Sequence, residues 1–217
     1  MIDKNDVNTF LQIVQCVENH VKLALSPDKS EAILLLTAGR AKSLSSLNTI
    51  SAAGAKVCLA DKVRLLGVTL DNSLSLKTHV KNVCRAAFYH TCALRHIRPS
   101  LTEEMANLVA CSLVQSRLDY ANALYVGMSS ANFDALQRAQ NTIARVLTLS
   151  LKRDHIMPTL KRLHWLPVPQ RVTYKIATVL YNIRRFREPD YLYSLLEDYT
   201  PTRHLRSTNT QKLYAEN

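Results

Sequence analysis

The chain has 217 residues, of which 28 are Lys or Arg and 17 are Asp or Glu, so its formal net charge is +11. Its 47% of hydrophobic residues is typical of a globular protein and sufficient for a packed core in one large or two small domains. The excess of positive charge favours a polyanionic partner, most often nucleic acid. A basic surface that binds nothing is the alternative interpretation of the same composition.

The five cysteines argue against two common designs of small domains. They form no C-x-x-C pair and are odd in number, which argues against a zinc knuckle and against a disulfide framework. No stretch reaches the ~18 apolar residues of a membrane span, and the N-terminus lacks the apolar run of a signal peptide. We therefore expect an intracellular protein of the nucleus or cytoplasm, with no membrane partner.

The first part of the chain predicts one helix and one short strand. Apolar residues recur at helical spacing over residues 6–22, and Pro27 then breaks the helix. A run rich in leucine and isoleucine over Ala32–Thr37 predicts a strand.

A hairpin is predicted next. Strands over Val57–Leu59 and Val63–Leu70 bracket a turn-like stretch at Ala60–Lys62. Gly67 would then mark a bulge or a close backbone approach. With the strand at Ala32–Thr37, these segments predict a small antiparallel sheet.

From residue 76 the apolar spacing is that of helices. Thr102 is the predicted N-cap of the second helix, because Glu103 and Glu104 follow it in the first turn. Helices are expected from residue 76 to just before Pro99, from Thr102 onward, over 131–148, from Pro158 to about residue 166, from residue 169 or 170 through Ile183, and after Pro189.

The same spacing predicts which side chains face the core. Trp165, the lone tryptophan, has apolar neighbours and is expected to be a core residue. The first helix is expected to bury Val80, Val83, Cys84, Ala87, Phe88, Thr91 or Cys92, and Leu94. The second helix is expected to bury Met105, Leu108, Val109, Ser112 and Leu113.

The predicted fold class is α+β, with a small antiparallel sheet followed by a mainly α-helical domain. The pattern changes near residue 73. We therefore expect a first domain over residues 1–73, a helical domain over residues 74–207, and a frayed tail over residues 208–217.

Two segments resemble the end of the palm domain of a polymerase. Residues 25–34 read Leu-Ser-Pro-Asp-Lys-Ser-Glu-Ala-Ile-Leu, and residues 64–71 read Arg-Leu-Leu-Gly-Val-Thr-Leu-Asp. They resemble the segment after the catalytic Asp-Asp box and the primer-gripping hairpin of a non-LTR retrotransposon reverse transcriptase of the jockey-like kind. Read alone, the first is a common helix-to-strand turn and the second an edge hairpin with a bulge.

Three later segments are similar to motifs of the same family, in the same order. They are residues 117–124, Arg-Leu-Asp-Tyr-Ala-Asn-Ala-Leu; residues 136–145, beginning Leu-Gln-Arg-Ala-Gln-Asn; and residues 163–171, beginning Leu-His-Trp-Leu-Pro-Val. Read from the residues alone, these segments are mostly scaffold. Tyr120 is expected to bond its own turn, and His164 has no partners at metal-ligand spacing.

The resemblance implies an RNA-directed DNA polymerase, of which this chain would carry the end of the palm, the primer grip and a thumb-like helical domain. It implies that Lys29 lies near the incoming nucleotide, as a candidate acid for the pyrophosphate leaving group. It also implies that Leu66, Gly67 and Val68 form the primer grip, with Gly67 allowing the backbone to approach the primer.

The family's adjacent pair of catalytic aspartates is absent from this sequence. We therefore expect a fragment that supports template–primer binding but does not polymerise by itself. We expect no cofactor and no metal site in this chain, because magnesium would need the missing aspartates. The implied partners are an RNA template, a DNA primer and the missing N-terminal half of the polymerase.

Basic residues on the helical domain predict contacts to phosphates. Arg138 and Arg145 are two helical turns apart and share one face of their helix. Arg184, Arg185 and Arg187 form a denser group. As parts of a thumb, these five side chains would hold a template–primer duplex without reading its sequence. A solvated basic face is the alternative.

Two other hypotheses remain open at this point. The chain could be a non-enzymatic helical module, derived from such an element, that binds nucleic acid or protein. It could also be a non-functional relic that folds poorly.

Overall fold

The computed structural model describes residues 30–35, 49–52 and 55–196. The helix predicted over residues 6–22, the candidate acid Lys29 and the tail after residue 196 lie outside the described residues. The predicted α+β class is confirmed, because short strands come first and helices make up the rest of the described chain.

The first sheet contains three strands in the order β1-β3-β2. They are β1 (Ala32–Ile33), β2 (Thr49–Ala52) and β3 (Ala55–Ala60). The β2–β3 pair is antiparallel, but β1 pairs with β3 in parallel, so the sheet is mixed rather than antiparallel as predicted. A parallel pair needs a long connection, which the chain between β1 and β3 supplies.

A separate two-stranded hairpin follows, made of β4 (Lys62–Leu65) and β5 (Val68–Asp71). Its turn is Leu66–Gly67, and not Ala60–Lys62 as predicted. Both turn residues have positive φ, 46° and 83°, as a two-residue type I′ turn requires. Gly67 therefore supplies a turn conformation rather than a bulge.

Most helices lie close to their predicted positions, but the one predicted from Pro158 to about residue 166 spans Ile156–Arg162 instead. Thr102 caps the second helix as predicted, with its Oγ1 accepting a hydrogen bond from the Met105 N–H at 3.2 Å. The helices are α1 (Lys77–Ile97), α2 (Glu103–Ala110), α3 (Ser116–Asp119), α4 (Ser130–Thr148), α5 (Ile156–Arg162), α6 (Val168–Phe186) and α7 (Asp190–Tyr193). A π-helical turn, Cys111–Gln115, joins α2 to α3.

One hydrophobic core joins the helices, and the β4–β5 hairpin shares it. Val68 of the hairpin is buried in the same cluster as Val80 of α1 and Leu136 of α4. Trp165 belongs to this cluster, which confirms its predicted role. Within the described ranges, no helix combines the length and the apolar character needed to cross a bilayer.

The predicted buried faces need two corrections. In α1, Thr91 is buried while Phe88 is exposed. In α2, Ala106 and Ala110 are buried, whereas Met105 and Leu108 of the predicted stripe are exposed. Ser112 and Leu113 of the same stripe lie in the π-helical turn and are exposed too. Small side chains let α2 approach its neighbours closely, and the π-helical turn that follows changes which residues face the core.

Candidate nucleic-acid interface

Hydrogen bonds join the three later segments that resemble family motifs, residues 117–124, 136–145 and 163–171. In α4, Gln140 is fully buried, and its Nε2 donates to the Leu166 carbonyl at 2.9 Å. One turn earlier, the Gln137 Oε1 accepts a hydrogen bond from the Val168 N–H at 2.8 Å. These two bonds fix the segment that leads from Trp165 into α6.

An ion pair completes this arrangement. Arg171 of α6 donates from its Nε to an oxygen of Asp119 at 2.7 Å, and its Nη2 pairs with the second carboxylate oxygen. We call the set of Asp119, Gln137, Gln140, Leu166 and Arg171 the motif junction. Its polar groups bind one another, so these residues stabilise the fold, as the sequence predicted for most of the motif segments.

The tip of the β4–β5 hairpin is exposed to solvent and contacts Tyr120 of the helical part. Leu66 is 84% exposed, and its carbonyl accepts a hydrogen bond from the Tyr120 hydroxyl. Tyr120 thus bonds the hairpin and not its own turn as predicted. Of the three predicted primer-grip residues, Leu66 and Gly67 lie at the exposed tip, whereas Val68 is a core residue.

His79 at the start of α1 supports the hairpin from beneath. Its Nδ1 accepts from the Thr69 N–H at 3.4 Å, and its Nε2 lies 3.4 Å from the Tyr125 hydroxyl. Burial lowers the pKa of His79 and raises the pKa of Tyr125 to about 12. A neutral ring with its proton on Nε2 satisfies both contacts.

A cleft of about 630 Å³ lies between the end of α1 and the outer side of α4. Five cations line it, and we call it the basic cleft. Two come from the end of α1, two from α4 and one from the loop after α4. They are Arg95, Arg98, Arg138, Arg145 and Lys152.

These cations are held in different ways. Arg98 is only 8% exposed, and it donates to the carbonyls of Leu147 at 2.7 Å and Leu101 at 2.8 Å. Arg145 donates from its Nη2 to the Asp154 carbonyl at 3.2 Å, while its Nε is buried without a hydrogen-bond partner among the described residues. Both guanidinium groups are therefore anchored to the protein.

The other three cations of the basic cleft point into solvent. Arg95, Arg138 and Lys152 are exposed, and their side chains make no hydrogen bond or ion pair within the described part of the chain. None of the described side chains that line the cleft is acidic. An uncompensated group of cations in a concave surface attracts anions, and phosphate oxygens suit arginine best.

The five basic residues predicted to contact phosphates lie in two separate parts of the helical region. Arg138 and Arg145 share one wall of the basic cleft, as their spacing predicted. Arg184, Arg185 and Arg187 lie at the end of α6 and do not line it. The sequence did not point to Arg95 or Arg98, because no local pattern shows that α1 ends beside α4.

The described residues contain no group of three or more His, Cys, Asp or Glu side chains placed to hold a metal ion. In comparisons with known proteins, no family model, no curated protein and no solved structure matches this chain.

Proposed function

We propose that this chain is a nucleic-acid-binding part of a non-LTR retrotransposon reverse transcriptase, and that its basic cleft holds the phosphates of a template–primer duplex. The observation that carries the proposal is a group of five cations that line one cleft, whose described lining side chains include no acidic group. Such a surface binds the backbone and reads no bases. An RNA–DNA hybrid, which proteins recognise by shape, suits it.

The exposed hairpin tip supports the polymerase part of the proposal. The Leu66–Gly67 turn is presented to solvent while Val68 anchors the hairpin in the core. An exposed turn on a rigid base can contact the sugar-phosphate of a primer through its main chain. In this proposal the chain alone incorporates no nucleotides, since the sequence has no adjacent aspartate pair for two magnesium ions.

A second candidate function is a helical nucleic-acid or protein binding module with no part in polymerisation. The motif junction favours it, because Gln140 and Arg171 make hydrogen bonds that stabilise the fold whatever the protein binds. The resemblance could therefore persist in a protein with another task. A preference for RNA–DNA hybrid over DNA duplex supports the polymerase, and equal binding supports the module.

The cleft can be tested by removing its three solvent-facing cations. The triple variant Arg95→Gln, Arg138→Gln, Lys152→Gln loses three positive charges. The matched control, Lys77→Gln, Lys81→Gln, Lys161→Gln, loses the same charge from exposed residues that do not line the cleft. Binding of a labelled RNA–DNA hybrid would be followed by fluorescence anisotropy over a range of salt concentrations.

We expect the cleft variant to bind at least about 10-fold more weakly, with the slope of log affinity against log salt reduced by about 0.9 for each lost phosphate contact. The control should change the affinity much less. An equal loss in both triple variants would mean that net charge, and not the cleft, binds the duplex.

A further inference from the structure

We propose that the outer face of α6, defined by Tyr174, Thr178, Tyr181 and Arg185, is a stacking platform for unpaired bases of single-stranded nucleic acid. This face is separate from the basic cleft and does not depend on it. Its ligand would be a single strand of RNA or DNA, held by ring–base contacts and by cations around them.

The two tyrosines are displayed in line on one side of the helix. Tyr174 and Tyr181 are seven residues apart, which is two turns and about 10 Å along the axis. They are 66% and 61% exposed, whereas Val172 and Ile183 on the opposite side are buried. The helix is thus anchored by its apolar side and presents both rings to solvent.

The surface between the rings is low and polar. Thr178 lies one turn after Tyr174, and its hydroxyl donates back to the Tyr174 carbonyl at 2.8 Å. One turn beyond Tyr181, the Arg185 Nη1 lies 3.4 Å from the Tyr181 hydroxyl. A base can therefore lie against each ring, and a guanidinium stands beside the second ring to meet a phosphate.

The charge of this helix selects the partner. The helix itself, Val168–Phe186, contains no Asp or Glu and four basic residues. Arg171 pairs with Asp119, and the Arg185 guanidinium lies 5.3 Å from the centroid of the Phe186 ring. Aromatic rings interleaved with cations are the arrangement by which proteins hold single strands, because every base offers a flat face and every phosphate a negative charge.

A protein-docking helix would present a different surface. Helix-in-groove recognition uses apolar anchors at i, i+3, i+4 and i+7. In α6 the apolar residues at this spacing are Val172, Ile176, Val179 and Ile183. Val172 and Ile183 are buried, Ile176 is half-buried and Val179 is 37% exposed, so most of this stripe faces the helical body. The tyrosines stand apart from one another with a threonine between them, so the face offers two separate rings rather than a continuous apolar stripe.

The test uses three labelled probes: an oligo-dT, an abasic oligomer of the same length with the same phosphates, and an RNA–DNA hybrid. The variant Tyr174→Ala, Tyr181→Ala removes both rings. The matched control Tyr174→Phe, Tyr181→Phe keeps the rings and loses only the hydroxyls. Fluorescence of the buried Trp165 would confirm that each variant is folded.

We expect the Ala variant to bind oligo-dT more weakly by about 10-fold for each ring. It should bind the abasic oligomer and the hybrid as the native chain does, and the Phe variant should retain oligo-dT binding. Equal losses on oligo-dT and the abasic oligomer, or full oligo-dT binding by the Ala variant, would overturn the platform.

This result is independent of the basic cleft. Removal of the Arg95, Arg138 and Lys152 charges should weaken binding of the RNA–DNA hybrid while both tyrosine rings are intact. Removal of the two rings should weaken binding of the single strand only. Failure of one proposal therefore leaves the other standing.

Discussion

The motif junction and the basic cleft are both polar, yet their side chains have different partners. In the motif junction, Gln140 and Arg171 bind protein carbonyl and carboxylate groups. In the basic cleft, Arg95 and Arg138 bind nothing within the described part of the chain. Substitutions in the first region should change stability, and substitutions in the second should change binding.

This difference in partners indicates that a ligand would bind the basic cleft rather than the motif junction. Residues of the motif segments have the most distinctive order in the sequence, but the polar side chains of the motif junction already have protein partners. The three solvent-facing cations of the basic cleft are Arg95, Arg138 and Lys152, and of these only Arg138 lies in a motif segment. For such a polar group to bind a ligand, its hydrogen bond to the protein must first break, and this costs free energy.

The largest expected effect comes from Arg98, the most deeply buried cation of the basic cleft, which is 8% exposed. Arg98→Met should lower the free energy of unfolding by about 3 kcal/mol, because two carbonyls lose a charged donor. Urea denaturation followed by Trp165 fluorescence would measure this. The control Arg95→Met, at an exposed position, should cost less than about 0.5 kcal/mol. Equal costs would mean that burial of Arg98 contributes no stability.

Next in size is the motif junction. Gln140→Leu keeps the volume but leaves the Leu166 carbonyl without its donor, so the free energy of unfolding should fall by about 2 kcal/mol. Binding of the RNA–DNA hybrid should be unchanged at a temperature where the variant is folded. The exposed control Gln170→Leu should leave both quantities as they are. A binding defect in folded Gln140→Leu would break the division between the two regions.

A smaller difference in stability is expected between substitutions of two cations of the basic cleft, Arg145 and Arg138. Arg145→Gln should cost about 1 kcal/mol of stability, because it removes the bond to the Asp154 carbonyl, whereas Arg138→Gln should cost almost none. Each should lower the salt slope of hybrid binding by about 0.9. Thermal unfolding and salt titrations of the two variants would decide. A slope that neither substitution changes would place the duplex elsewhere.

The smallest expected effect is a pH dependence at the hairpin. The pKa of His79 is lowered by burial in the folded chain, so the unfolded chain takes up a proton first, near its ordinary value of 6.5. Stability should be full above pH 6.5 and should decline as the pH falls toward the folded pKa. His79→Gln should reduce this decline, and the exposed control His96→Gln should not. Equal pH profiles of the native chain and His79→Gln would contradict the assignment.

The predictions from sequence succeeded where neighbours along the chain decide the structure. Thr102 caps α2 because its side chain reaches the Met105 N–H three residues later, and Pro189 precedes α7 because it cannot continue a helix. The shared face of Arg138 and Arg145 also follows from helical geometry alone. The α+β class and the position of Trp165 in the core belong to the same group.

Packing between distant segments decided the rest. Hydrophobicity predicted that Met105 and Leu108 would face inward, but the close contact made by Ala106 and Ala110 placed them outside. The hairpin turn moved to Leu66–Gly67, where two positive φ angles match the twist of the strands. The basic cleft exists because α1 ends beside α4, and periodicity within one helix carries no information about which charges another helix brings near.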